Sequence, residues 1–294
     1  MNKTKIITAI YSDLYGTEIG GRPGRDTHYK LSLMSLLKMT DADFLCYTSE
    51  REIESLKQFF YTEKNVSPTQ LKFEVYDLSN TKFKDLINMR KDVEFTKKTD
   101  RCIEIQYSKF FWWWNENGSY ENYFWFDAGL SHCGLIPDKY LLDTTSYDKF
   151  YESKLFNNDF LQNLIDFTDN KCFIIGKENS RNFWSQTVNP KWYNTYENDI
   201  HVIGGVFGGK KEIWEKIVPM FEEYTKKVLT EDTGLPHEEL IMTLMYVNHK
   251  DLFNRKHFDI WWCPDNAPKE TPQEYFDKNK SFYKILEELN KIYE

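Results

Sequence analysis

Brief apolar runs alternate with stretches of helical period along most of the chain. Residues 5–10, 43–48 and 71–78 are short runs bounded by polar residues, which predicts three strands. Between the first two, Asp26 caps a helix to about Met39 whose apolar side carries Tyr29, Leu31, Leu33, Met34, Leu36 and Leu37. Ser49-Glu50-Arg51-Glu52 has the spacing of a capping box and opens a helix to about Tyr61. A helix over 100–114, a turn at 115–119 and the strand Tyr123-Phe124-Trp125-Phe126 follow. Further helices are predicted at 147–167, 210–229 (with Pro219 inside), 237–248 and 271–293, and strands at 171–175, 199–203 and 257–262.

This alternation predicts an α/β fold. The strands are apolar on both faces, as a mainly parallel central sheet covered by helices on both faces requires. No repeat or low-complexity linker interrupts the chain, so residues 1–294 read as one domain of two unequal halves, 1–130 and 131–294. The polar, aromatic-bearing stretch 177–198 is long for a plain connection and reads as a binding loop.

Charge narrows the partners. Lys and Arg number 38 against 46 Asp and Glu, a net charge of −8. That disfavours sequence-independent nucleic-acid binding and docking to an anionic membrane, both of which draw on basic charge. No run reaches the roughly 18 apolar residues of a membrane span, and 6–10 is too short for a secretory signal. Cysteines are odd in number, five, without a C-x-x-C pair, so a reducing compartment, the cytoplasm, is expected. Aromatic residues make up 17% of the chain, enough for a large aromatic core or for surfaces that stack flat ligands.

Several motifs fall short. Gly204–Lys210 has G-x-x-x-x-G-K spacing, but Lys211 stands where a P-loop needs a hydroxyl for Mg²⁺. His237-Glu238-Glu239-Leu240-Ile241 begins like H-E-x-x-H and ends on Ile241, so a zinc-protease site is excluded. Gly20-Gly21-Arg22-Pro23-Gly24-Arg25 is similar to the glycine loop of sugar nucleotidyltransferases but is separated from the first strand by residues 11–19. No G-x-G-x-x-G follows that strand, so a dinucleotide fold has no support.

Asp127-Ala128-Gly129 carries more weight. A carboxylate directly after a buried strand lies at its carboxyl end, where open α/β sheets place ligands. An ion beside four aromatics needs a counter-charge or hydrogen bonds; an Asx-type turn is the plainer alternative. The glycines 204, 205, 208 and 209 read either as bare backbone that a sugar or phosphate approaches, with a helix N-terminus behind it, or as a tight strand-to-helix turn. Glu238 and Glu239 open a helix, where acids are also ordinary dipole partners. Lys109 reads as a phosphate or sugar ligand or as a solvated lysine, and Trp112–Trp114 as packing.

In this order and spacing, Ile7-Thr8-Ala9-Ile10-Tyr11, Gln106–Phe111, Trp125–Ser131, Gly204–Gly209 and His237-Glu238-Glu239 resemble a GT-A glycosyltransferase, and most closely the HtrL/YibB group of bacterial glycosyltransferase-like proteins. The resemblance spans residues 5 to about 262. It implies a nucleotide-binding half at 1–130 and an acceptor-side half at 131–294. It also implies transfer of a sugar from a nucleotide-sugar, of which a UDP-sugar fits best, to a glycan acceptor. Thr8, Ala9, Tyr11 and Arg25 would then hold the base, and Asp127, Ala128 and Gly129 the D-x-D position. Gly129 replaces the second carboxylate, so an implied Mn²⁺ or Mg²⁺ would rest on Asp127, phosphate oxygens and water, with His257 as a further metal ligand. Lys109, Gly208, Gly209 and Glu238 would line the donor or acceptor, and Glu239 would be the catalytic carboxylate. The alternatives are a catalytically inactive GT-A-like glycan-binding module and a sugar nucleotidyltransferase.

Overall fold

The computed structural model describes residues 4–12, 29–30, 33–34, 36–37, 40–89, 100–115, 120–128, 160–178, 200–230 and 238–257. Seven strands form one sheet. They are β1 (Thr4–Ile10), β2 (Asp43–Thr48), β3 (Leu71–Val75), β4 (Asn122–Phe126), β5 (Cys172–Glu178), β6 (Ile200–Lys210) and β7 (Phe253–His257). Their order is β3-β2-β1-β4-β6-β5-β7. β1 and β2, β2 and β3, and β5 and β7 pair in parallel, and β6 runs antiparallel to β5. The expected α/β class with a largely parallel sheet is therefore observed. The helices are α1 (Ile53–Lys57), α2 (Lys84–Asn88), α3 (Asp100–Asn115), α4 (Phe160–Thr168), α5 (Lys211–Thr230) and α6 (Glu238–Asn248).

The described elements fall into two compact units. One holds β1, β2, β3, α1, Phe126–Ala128 and nearly all of α4; the other holds α2, α3, β4 as far as Trp125, β5, β6, β7, α5 and α6. In the first, β1 and β2 are buried almost throughout, as strands covered on both faces must be. The helical residues Tyr29, Leu33, Met34, Leu36 and Leu37 are buried too, on the apolar side foreseen for them. β3 borders the sheet and alternates buried Leu71 and Phe73 with Lys72 and Glu74.

The second unit is held by stacked rings. Phe110 of α3 lies 3.8 Å from Phe221 of α5 and 4.7 Å from Phe207 of β6, centroid to centroid, both stacked. Trp113 stacks on Trp214 at 5.7 Å, and the Trp214 indole N–H donates to the Tyr123 carbonyl at 2.9 Å. Trp112 stacks on Trp125 at 5.7 Å. These rings are core, and each contact adds on the order of 0.5–1.5 kcal/mol beyond the area it buries.

Several boundaries differ from the sequence reading. Residues 204–209 extend β6 to Lys210 instead of forming a turn. β7 occupies Phe253–His257, upstream of the strand foreseen at 257–262, most of which lies outside the described residues. The helix after β2 is α-helical only over Ile53–Lys57 and continues as a π-helix over Gln58–Glu63. Glu52 is its N-cap without a side-chain cap bond, so the capping box does not form. α2 had no counterpart in the sequence reading. Of the helix foreseen at 147–167, residues 147–159 lie outside the described residues, as do the helix foreseen at 271–293 and residues 179–198 of the loop foreseen at 177–198, whose first two residues end β5 instead.

The glycine-rich stretch stays extended because its neighbours leave no room for side chains. A Cβ on Gly208 would stand 2.3 Å from the Tyr123 carbonyl oxygen, and its φ of +147° suits only glycine. A Cβ on Gly209 would stand 2.7 Å from the Lys171 carbonyl oxygen. Gly208→Ala should therefore destabilise the protein by roughly 2–4 kcal/mol, read as a lower denaturant midpoint with an unchanged slope.

Candidate functional site

The start of α6 meets the middle of β6 and one residue of α3. Glu238 is the first residue of α6 and is buried; Glu239, the next, is half-buried. Both follow the break at Gly234-Leu235-Pro236, and acids there favour the helix N-terminus. Leu240, Ile241, Leu244 and Met245 bury the helix behind them. Lys109 lies on α3 between the buried Ser108 and Phe110, so its stem enters the core.

Lys109 Nζ stands 2.7 Å from Glu238 Oε1 in an ion pair whose side chains are 6% and 3% exposed. The same ammonium donates to the Gly204 carbonyl at 3.1 Å and lies 5.2 Å from the centre of the Trp125 ring. Both contacts help to replace the water it has lost. The Gly204 N–H donates to Glu239 Oε1 at 3.0 Å. A Cβ on Gly204 would come within 2.6 Å of Glu238 Oε1, so a side chain there would displace the carboxylate. Thr243, one turn along α6, links the same elements: its hydroxyl donates to the Glu239 carbonyl at 2.7 Å and accepts the Val202 N–H at 3.0 Å. Burial and the Glu238 charge push the nearby Tyr107 phenol well above its ordinary pKa, so it stays protonated.

This cluster sits at an irregularity of the sheet. Ile203 pairs with Ile175, but the next β6 residue to pair with β5 is Phe207, opposite Ile174. Gly204, Gly205 and Val206 have no partner on β5 there. Such bulges recur beside functional sites, where they redirect backbone and side chains.

The remaining site residues foreseen in the sequence lie as follows. Thr8 and Tyr11 are buried and Ala9 half-buried, at the end of β1 and just beyond it. Asp127 follows the wholly buried β4 directly and is half-buried; Ala128 is buried. Gly208 and Gly209 pack against Tyr123, Phe124 and Lys171, four and five residues along β6 from the Lys109 cluster. His257 ends β7, opposite Gly176 of β5, instead of preceding a strand. Arg25, Gly129 and His237 lie outside the described residues. The structure thus joins Lys109, Glu238 and Glu239 through Gly204 and seats Gly208 and Gly209 elsewhere on the same strand. Lys109 meets Glu238, a partner the sequence reading did not consider.

A second polar contact was missed. The Ser12 hydroxyl donates to the Glu52 carboxylate, and the Ser49 hydroxyl reaches its other oxygen at 3.4 Å. This ties the residue after β1 to the cap of α1, beside the position foreseen for the base. The Ser49-x-x-Glu52 spacing marked the residue but suggested only a local role.

Among the described residues no three His, Cys, Asp or Glu side chains stand together as a metal would need. Nor is any described helix long and apolar enough to cross a membrane. Cys46 and Cys172 are buried free thiols. Burial pushes both up, Cys172 to about 12, so they stay protonated and are poor nucleophiles.

No protein-family model matches the chain. No curated protein sequence matches it either. Among solved structures, the fold is similar to that of mouse xyloside xylosyltransferase 1 in its apo form, at 11% identity and a TM-score of 0.53, over 95% of this chain and 92% of that one. The GT-A-like architecture expected from the sequence is thus matched over nearly the whole chain. Weaker likenesses are to CMP:2-keto-3-deoxy-manno-octonic acid synthetase complexed with CTP, with 12% identity, TM-score 0.40 and coverage of 87% and 90%. A third is to 4-diphosphocytidyl-2C-methyl-D-erythritol synthase from Anaerococcus prevotii, with 12% identity, TM-score 0.37 and coverage of 94% and 93%.

Removing the Lys109 charge would leave Glu238 buried beside an aromatic core. Lys109→Met should cost about 3–5 kcal/mol, the range for breaking a buried pair from one side. Urea unfolding followed by tryptophan fluorescence measures it.

Proposed function

We propose that this protein is a transferase that moves a sugar from a nucleotide-sugar, a UDP-sugar in the first instance, to a glycan acceptor. The observation that carries the reading is Asp127, a half-buried carboxylate directly after the wholly buried strand β4. It occurs in a fold similar over nearly its full length to a protein named as a xylosyltransferase. Open α/β sheets bind ligands at the carboxyl ends of their strands. The narrower affinity to the HtrL/YibB group rests on the sequence motifs.

The reaction breaks the bond between the anomeric carbon and the diphosphate and forms one to an acceptor oxygen. Its transition state needs negative charge neutralised on the leaving group and a carboxylate close to the reacting carbon. In this reading Thr8, Ala9, Tyr11 and Arg25 recognise the base, and Asp127, Ala128 and Gly129 take the diphosphate end of the donor. Asp127 would hold a divalent cation such as Mn²⁺ or Mg²⁺, and that ion would neutralise the leaving diphosphate. One carboxylate is a sparse site, so phosphate oxygens and water would have to complete the ion's shell. Glu239 supplies the catalytic carboxylate. Its Oε1 accepts the Gly204 N–H, which orients the carboxylate. As a base towards the acceptor hydroxyl it gives inversion; facing the anomeric carbon it gives retention. Glu238 and Lys109 form the buried support beneath it, and Gly208 and Gly209 keep β6 close to its neighbours.

Two measurements test the reading. UDP at about a hundredfold excess over its Kd should raise the melting temperature by about 5 °C. Equal, weak shifts from UDP, GDP, ADP and CMP would remove the nucleotide site. Asp127→Asn should lower transfer, or slow release of free sugar from the donor, by at least about a hundredfold while leaving the melting temperature nearly unchanged. Pyrophosphate release from a nucleoside triphosphate and a sugar phosphate would instead mark a nucleotidyltransferase. Full activity in Asp127→Ala would overturn the assignment.

A further inference from the structure

Gly204 is held from both sides by side chains of two helices. Its N–H, which belongs to the peptide plane before its Cα, donates to Glu239 of α6. Its carbonyl, in the plane after that Cα, accepts from Lys109 of α3. Both planes lie where β6 has left the β5 ladder, so these side chains act where the pairing with β5 lapses. Glycine is the residue with the widest choice of backbone conformation. Clamping both flanking planes removes that choice.

We infer that Lys109 is a positioning residue for Glu239, acting through the Gly204 peptides; this rests on the reading of Glu239 as the catalytic carboxylate. The Glu239 carboxylate is oriented by the Gly204 N–H, and the peptide plane that follows is held as well. Lys109 supplies that second hold. Its charge, neutralised by Glu238 at 2.7 Å, stays in the core because Glu238 opens the same helix that carries Glu239. One ammonium therefore bonds both to the helix that bears the working carboxylate and to the strand that aims it. A lysine suits this task, since three donors radiate from one point at the end of an unbranched stem.

The rival explanation is that the pair only stabilises the fold. Lys109→Met/Glu238→Gln separates the two, because it removes both buried charges together and so lifts the penalty left by Lys109→Met alone. In the full chain, this double variant should regain most of the denaturant midpoint and bind UDP within about twofold of the parent. The Gly204 amide should nevertheless exchange its hydrogen at least about tenfold faster by NMR, and kcat should fall about tenfold or more with little change in KM. A restored midpoint with parental Gly204 exchange would overturn the inference, as would a restored kcat. Faster Gly204 exchange in a protein whose parent turns over no nucleotide-sugar would support Lys109's hold on the peptide and refute the transferase reading instead. Should the variant fail to fold, Lys109→Met/Glu238→Leu, which likewise leaves no charge and no donor to the Gly204 carbonyl, takes its place with the same expected and overturning results.

Discussion

The ammonium of Lys109 and the carboxylate of Glu238 are both withdrawn from water, and a buried charge is tolerated only with its partners in place. That requirement fixes the local structure around it. α3 must present Lys109 at the depth where α6 begins, and β6 brings Gly204 against both side chains. The Trp125 ring lies against the ammonium on a further side. Removing Lys109 or Glu238 would leave the other's charge buried without its ion-pair partner.

Glycine serves two different purposes along β6. At Gly208 and Gly209 it lets neighbouring backbone approach to distances no side chain permits, which draws the aromatic stacks of α3 and α5 onto the sheet. At Gly204 it makes room for a carboxylate instead. The first use is a matter of packing density. The second brings charge into the interior beside the sheet.

The parts of this structure legible in the sequence were those whose signal is local. β1, β2 and β4 are unbroken apolar runs, and α5 and α6 keep a helical period, so the α/β alternation followed. Asp127 was legible because one carboxylate after four aromatics is a local contrast. β6 was not, since glycine is depleted in strands and its tolerance at Gly208 depends on Tyr123, 85 positions earlier. The partner of Lys109 was hidden for the same reason: 129 residues separate it from Glu238, and no periodicity records such a distance. α2 escaped because it is short and its only buried residue is Ile87.

β7 was missed through its polarity: Asn254, Arg255 and Lys256 read as loop. Among the described strands it borders the sheet beyond β5, as β3 does beyond β2, where Lys72 and Glu74 form an ion pair. A border strand carries backbone donors and acceptors that an identical strand from another copy could satisfy. Charged side chains there discourage such additions, because a second copy would bring like charge and lose hydration on contact. The residues that concealed β7 from a hydrophobic pattern thus work against growth of the sheet from molecule to molecule, a safeguard against aggregation for a chain so rich in aromatic side chains.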